Sequence, residues 1–122
     1  MKPMTLVLVL ILAVGSAQVY AQPEKSVTDV KYLAGTWQGY PYDRVTGKRG
    51  RKLVTIAVKE DGSYEASGAI IVQGSLRVDG GKVLFQSSRA SGTVILSEDK
   101  GQETMKFSFE NGNPAGEYDR VK

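Results

Sequence analysis

The chain has 122 residues, which suffices for one domain and not two. It contains no His and no Cys, which removes disulfides, Cys- or His-based nucleophilic catalysis and the usual zinc, copper and haem ligands. Its net charge of +3, from 16 basic and 13 acidic residues, falls short of a nucleic-acid-binding excess.

The first residues read as a secretory signal spanning 1–21. Lys2 supplies the positive start, residues 6–14 form an unbroken apolar run, and Val19-Tyr20-Ala21 has small residues at the cleavage positions. Cleavage is expected after Ala21. The run is too short for a membrane span of roughly 20 residues, and there is no cysteine to carry a lipid anchor. The expected location is therefore periplasmic or secreted, with no stable membrane anchor. Removing Lys2 leaves 15 basic against 13 acidic residues, a net +2. With no disulfides, the domain must be held by its core alone.

Residues 22–34 are expected to be a linker and lead-in. A short polar stretch containing Pro23 runs to Ser26. From there to Leu33, Ser26 or Thr28 is placed to cap one or two helical turns, and Val27, Val30 and Leu33 are spaced to share one face. Ordered coil is the alternative.

From Gly35 the pattern has period two and keeps it to the C-terminus. The alternation predicts strands at 37–42, 52–59, 64–71, 73–79, 82–87, 93–98, 103–110 and 115–121. Turn signals separate them, among them Glu60-Asp61-Gly62-Ser63, Asp79-Gly80-Gly81, Asp99-Lys100-Gly101 and Asn111-Gly112-Asn113-Pro114. The break between Ile71 and Gln73 is open to a second reading, in which Gly74 marks a bulge in one long strand. Short connections make sequence neighbours sheet neighbours, so the fold class is all-β, an antiparallel up-and-down meander. About eight strands with no covering helix hide their edges best by closing into a barrel over 35–122; an open sandwich is the alternative. The inward face is assigned to Val54, Ile56 and Val58; to Tyr64, Ala66, Gly68 and Ile70; to Leu76 and Val78; and to Met105, Phe107 and Phe109. Strands 82–87 and 93–98 are apolar on both faces and stay unassigned.

The only tryptophan lies in Gly35-Thr36-Trp37, at the start of the first barrel strand. This tripeptide, after a helical lead-in and before a β-meander, resembles the Gly-x-Trp signature of the lipocalins. The resemblance is to a small, calycin-type bacterial extracytoplasmic barrel, shorter than a typical lipocalin and without the later Thr-Asp-x-x-Arg-type motif. It implies that Trp37 plugs one end of the barrel and that an Arg from the last strand lies across its ring. Arg120 is the matching residue, and Gly35, Trp37 and Arg120 are the expected plug. Gly116 and Tyr118 then face inward with Arg120, and Glu117 and Asp119 face solvent. The avidins share a Gly-x-Trp strand but line their site with several tryptophans, where this chain has one.

No catalytic residue, metal ligand or cofactor is assigned. Glu60/Asp61 and Glu98/Asp99 sit in turns, and the Glu117/Asp119 pair is on the outer face, so an enzyme is not expected. The longest connection, residues 43–52, carries Arg44, Lys48, Arg49, Arg51 and Lys52. In a meander it lies opposite the plug, together with the turns at Val72, at 88–91 and at 111–114. Tyr40, Tyr42, Arg44, Lys48, Arg49, Arg51 and Arg89 are therefore the candidate rim of a mouth. Such a rim attracts an anionic head group, a lipid surface or an acidic envelope polymer; the plainer reading is a solvated loop whose charge aids solubility. The expected function is binding of a small apolar or amphipathic, possibly anionic, ligand. The alternative is a filled barrel that binds protein or an envelope component by its outer face.

Overall fold

The computed structural model describes residues 24–122; the expected signal sequence and cleavage site, with Gln22 and Pro23, lie outside the described residues. The elements are β1 (Glu24–Lys25), a 3-10 turn (Val30–Leu33), β2 (Gly35–Pro41), β3 (Val54–Val58), β4 (Ser63–Gly68), β5 (Val72–Asp79), β6 (Lys82–Ser87), β7 (Ser91–Asp99), β8 (Gln102–Phe109) and β9 (Pro114–Arg120). From β2 to β9 each strand pairs antiparallel with the next. The sheet closes where β2 meets β9, with Trp37 opposite Arg120 and Gly39 opposite Tyr118. The result is an eight-stranded up-and-down barrel, which excludes the sandwich.

The inward positions are those the alternation assigns, except at one turn. Val54, Ile56, Val58, Tyr64, Ala66, Leu76, Met105, Phe107 and Tyr118 are all buried. Gly68 is exposed and Ile70 half-buried, because β4 ends at Gly68 and residues 69–71 form a turn. In the two unassigned strands the choice falls on Val83 and Phe85, and on Val94 and Leu96. Leu84 and Ile95 face outward. The break before Gln73 is thus a true turn, and β5 is regular. Gly74 serves a different purpose there: a Cβ on it would come within 2.5 Å of the Tyr64 ring, so the missing side chain makes room for that phenol.

The lead-in departs from the sequence reading in two ways. The helical segment is a single 3-10 turn, capped by Asp29 rather than Ser26 or Thr28, with the Asp29 carboxylate accepting from Lys31 N at 2.9 Å. Spacing by three suits 3.0 residues per turn. It turns Leu33 fully into the core and lays Val30 against it, and Val27 is buried just ahead of the turn. The polar stretch before it is not merely a linker, because Glu24 and Lys25 pair with Ser97 and Leu96 of β7. β6 covers β7 only as far as Val94, so without β1 the end of β7 would present unpaired backbone groups.

Candidate functional site

The two ends of the barrel differ in chemistry. At the closed end the Trp37 indole is 0% exposed, and its Nε1 donates to the Leu33 carbonyl at 3.0 Å. The Arg120 guanidinium lies over its ring, 4.3 Å from the centroid. Each part of that guanidinium has a partner. Nε donates to Glu103 Oε1 at 2.8 Å, Nη1 to the Ala34 carbonyl at 2.9 Å and Nη2 to the Tyr32 carbonyl at 2.7 Å. The last two are carbonyls at the end of the 3-10 turn, where no intrahelical donor reaches them. Gly35 completes the arrangement: its φ is +135°, and a Cβ there would press to 3.2 Å from Arg120 Nη1.

Glu103 joins this end to the N-terminal strand. Its Oε2 accepts from Tyr32 Oη at 2.6 Å and from Lys25 Nζ at 3.0 Å, and Lys25 also pairs with Glu98 at 3.0 Å. Burial alone would raise the Glu103 carboxyl, but hydrogen bonds from Tyr32, Lys25 and Arg120 outweigh it and hold the group below its ordinary value. Hydrogen bonds to Tyr32, Glu98 and Glu103 raise the Lys25 ammonium in turn. Sequence reasoning had paired Trp37 with Arg120 but had missed Lys25, Tyr32 and Glu103, whose meeting depends on strand register.

At the other end a cavity of about 240 Å3 opens to solvent. Its inner wall is an aromatic layer centred on Phe107. The ring of Phe107 contacts Phe85 at 5.0 Å, Tyr118 edge-on at 5.4 Å and Tyr64 edge-on at 6.4 Å. Ile56, Ala66, Val72 and Phe109 add aliphatic and aromatic wall above it. Burial pushes the Tyr64 and Tyr118 phenols up to about 12, so both are neutral and can donate at physiological pH. Arg44 and Arg89 stand at the opening, and among the described residues no carboxylate lines the cavity.

Arg44 reaches that position through a built turn. The Asp43 carboxylate accepts from Val45 N and Thr46 N, both at 2.8 Å, and Gly47 takes the left-handed conformation with φ +74°. Those backbone donors also hold the Asp43 carboxyl below its usual value. Tyr42 bridges Arg49, and Gly50 N donates to the Pro41 carbonyl at 2.7 Å. The basic connection is therefore an ordered extension of the β2–β3 hairpin. Arg44 folds back from it, with its guanidinium 5.0 Å over the Phe109 ring and Nη2 donating to the Arg89 carbonyl at 3.1 Å. The Asp43–Gly47 spacing was the sequence signal for this turn.

Of the seven rim residues expected from sequence, Tyr42, Arg44 and Arg89 line the cavity. Tyr40 does not: Gly39 faces inward, so its neighbour faces out, where Arg49 stacks 4.3 Å over its ring. Lys48 and Arg51 are exposed on the hairpin. Tyr42 sits at the edge, its hydroxyl donating to Glu117 Oε2 at 3.2 Å on the outer face. A larger depression of about 780 Å3 crosses the outside of β5–β8, but outward polar side chains such as Ser75, Arg77, Gln86 and Thr93 line much of it. Among the described residues no group of three or more acidic side chains is placed to hold a metal ion.

Comparison of the chain with protein-family models, with curated proteins and with solved structures finds no match in any of the three. The closed antiparallel barrel is consistent with a lipocalin-like architecture. A reading of function must come from the two ends themselves.

Proposed function

We propose that the protein is an extracytoplasmic, lipocalin-like carrier of a short anionic amphiphile, held with its tail in the mouth cavity and its head group between Arg44 and Arg89. The observation that carries this reading is an apolar, aromatic-based cavity with two guanidiniums at its opening and no lining carboxylate. Apolar walls with a few convergent polar groups are the usual makeup of a small-molecule site. Size narrows the class. The cavity equals the liquid volume of about eight waters at ~30 Å3 each, and so takes a tail of about that many non-hydrogen atoms. Long-chain lipids do not fit, because the Phe107 layer fills the barrel below.

Octanoate and octanol are the matched probes, titrated calorimetrically. Octanoate is expected to bind, and the alcohol more weakly. The double variant Arg44→Ser, Arg89→Ser should lower octanoate affinity by about tenfold or more, as expected for loss of charge-assisted hydrogen bonds. Equal affinity of parent and variant, or of acid and alcohol, would return the rim to a solubility role. The same aromatic layer favours a second reading, in which the barrel is a packed scaffold that binds a partner by its surface. Failure of both probes to bind selects it.

A further inference from the structure

We propose that the mouth end of the barrel docks on an anionic lipid surface, with Val45 and Ile71 entering the headgroup layer among the surrounding cations. The distribution of charge comes first. The connections at the mouth carry Arg44, Lys48, Arg49, Arg51, Lys52 and Arg89 against Asp43 and Glu110, a net +4. The hairpin connections at the other end carry no such excess: Glu60 and Asp61 oppose Lys59 and Lys100, a net of zero. A net +2 spread evenly orients nothing. This concentration of positive charge at the mouth points that end of the barrel at a negative surface.

The apolar exposure falls at the same end. Val45 is 90% exposed and Ile71 75% exposed, the two highest values among the large hydrophobic side chains described. Val45 crowns the Asp43–Gly47 turn, and Ile71 crowns the β4–β5 turn. Leu53, also exposed, lies beside the latter, its carbonyl accepting from Ala69 N at 3.3 Å. Aliphatic tips among lysines and arginines are what an interfacial contact uses, because the tips gain from leaving water and the cations gain from anionic head groups. A soluble polyanion gains only from the cations. The hairpin that carries most of these groups is already ordered by the Asp43 cap, so docking immobilises little further chain. The cavity opens within this face, which lets an amphiphile pass between barrel and lipid without crossing bulk water. The docking itself needs no ligand in the cavity, so it and the octanoate titration fail independently.

The test uses the chain from Gln22 onward, which holds every residue of the closed barrel and lacks the apolar leader that would bind lipid by itself. Sedimentation with phosphatidylcholine vesicles is compared with vesicles containing about one third phosphatidylglycerol. Binding is expected only to the second, and should weaken steeply between about 0.05 M and 0.5 M salt. Lys48→Ser, Arg51→Ser and Lys52→Ser together should lower the partition coefficient by up to about a hundredfold, at roughly fivefold per cation. Val45→Ser with Ile71→Ser should lower it by about tenfold at constant charge. Circular dichroism of both variants should match the parent, and the salt dependence of the parent tests the electrostatic part without any substitution. Three results would overturn the proposal: no binding by the parent, equal binding to both vesicle types, or full binding by the Val45/Ile71 variant. The last of these, with competition by soluble polyphosphate, would assign the face to an acidic polymer instead.

Discussion

Each end of this barrel places an arginine over an aromatic ring, and the two pairs do different things. Arg120 sits 4.3 Å over Trp37 with its Nε, Nη1 and Nη2 all donating to protein acceptors. Arg44 sits 5.0 Å over Phe109, and the one hydrogen bond of its guanidinium among the described residues goes to the Arg89 carbonyl. The same stack is finished at one end and unfinished at the other. A saturated guanidinium can only hold structure together; one with donors to spare, beside a cavity, is available to something else. If the proposed mouth site binds its ligand, closure and recognition are separated along the barrel axis, and substitutions at the two ends should separate stability from binding.

The largest effect belongs to the closed end. Trp37→Ala removes a fully buried ring and its bond to Leu33, and should cost about 3–5 kcal/mol of unfolding free energy. Urea unfolding followed by circular dichroism measures it, and a loss under 1 kcal/mol would mean that the ring is not the keystone described. Arg120→Ala comes next, at about 2–4 kcal/mol, because it leaves Glu103 Oε1 and two carbonyls without their donor. Glu103→Gln should cost less alone and much less in the Arg120→Ala background, since the two share one contact. Additive losses would show that the ion pair is not a coupled unit.

Acid sharpens the same contrast. The Glu103 carboxyl is depressed in the folded state, so the unfolded chain takes up its proton first. The stability it contributes is complete above the unfolded value of about 4.3 and is lost as pH falls through the lower folded value. Midpoints measured downward from pH 6 should decline steeply in the parent and less in Glu103→Gln. Parallel curves would remove Glu103 from the account; Asp43 and Asp61, also depressed, supply the remaining slope. The smallest effect is at the mouth, where Arg44→Ser with Arg89→Ser should change stability by about 0.5 kcal/mol or less while weakening octanoate binding. A loss as large as that of Arg120→Ala would erase the difference between the ends.

Much of the barrel was legible in the chain because period-two alternation and Gly-rich turns are local signals. Every strand from β2 to β9 was visible in this way, whereas the placing of Arg120 beside Trp37 came from the lipocalin resemblance, with which the alternation of the last strand agrees. Glu103 was not. Its place beside Arg120 follows from the β8–β9 register, in which Thr104 faces Asp119, and register is set by the whole closed sheet. β1 was missed for another reason, since two residues carry no periodicity and pair only because β7 outruns β6. At the mouth, parity along β2 would have removed Tyr40 from the rim. Which loop cations turn inward was not available, because Arg44 is aimed by the Asp43 cap and its neighbours are not.

The seam between β2 and β9 joins the first strand of the barrel to the last, and it fixes the order in which the molecule comes into being. A polypeptide emerging N-terminus first holds Trp37 early, but its partner Arg120 arrives 83 residues later. Until then β2 and each newest strand are open edges, and the largest fully buried side chain has no lid. Closing such a barrel is non-local and waits for its last strand. Losing β9 would therefore not trim the barrel but leave it unrolled, a sheet with two raw margins and a propensity to pair with its own kind.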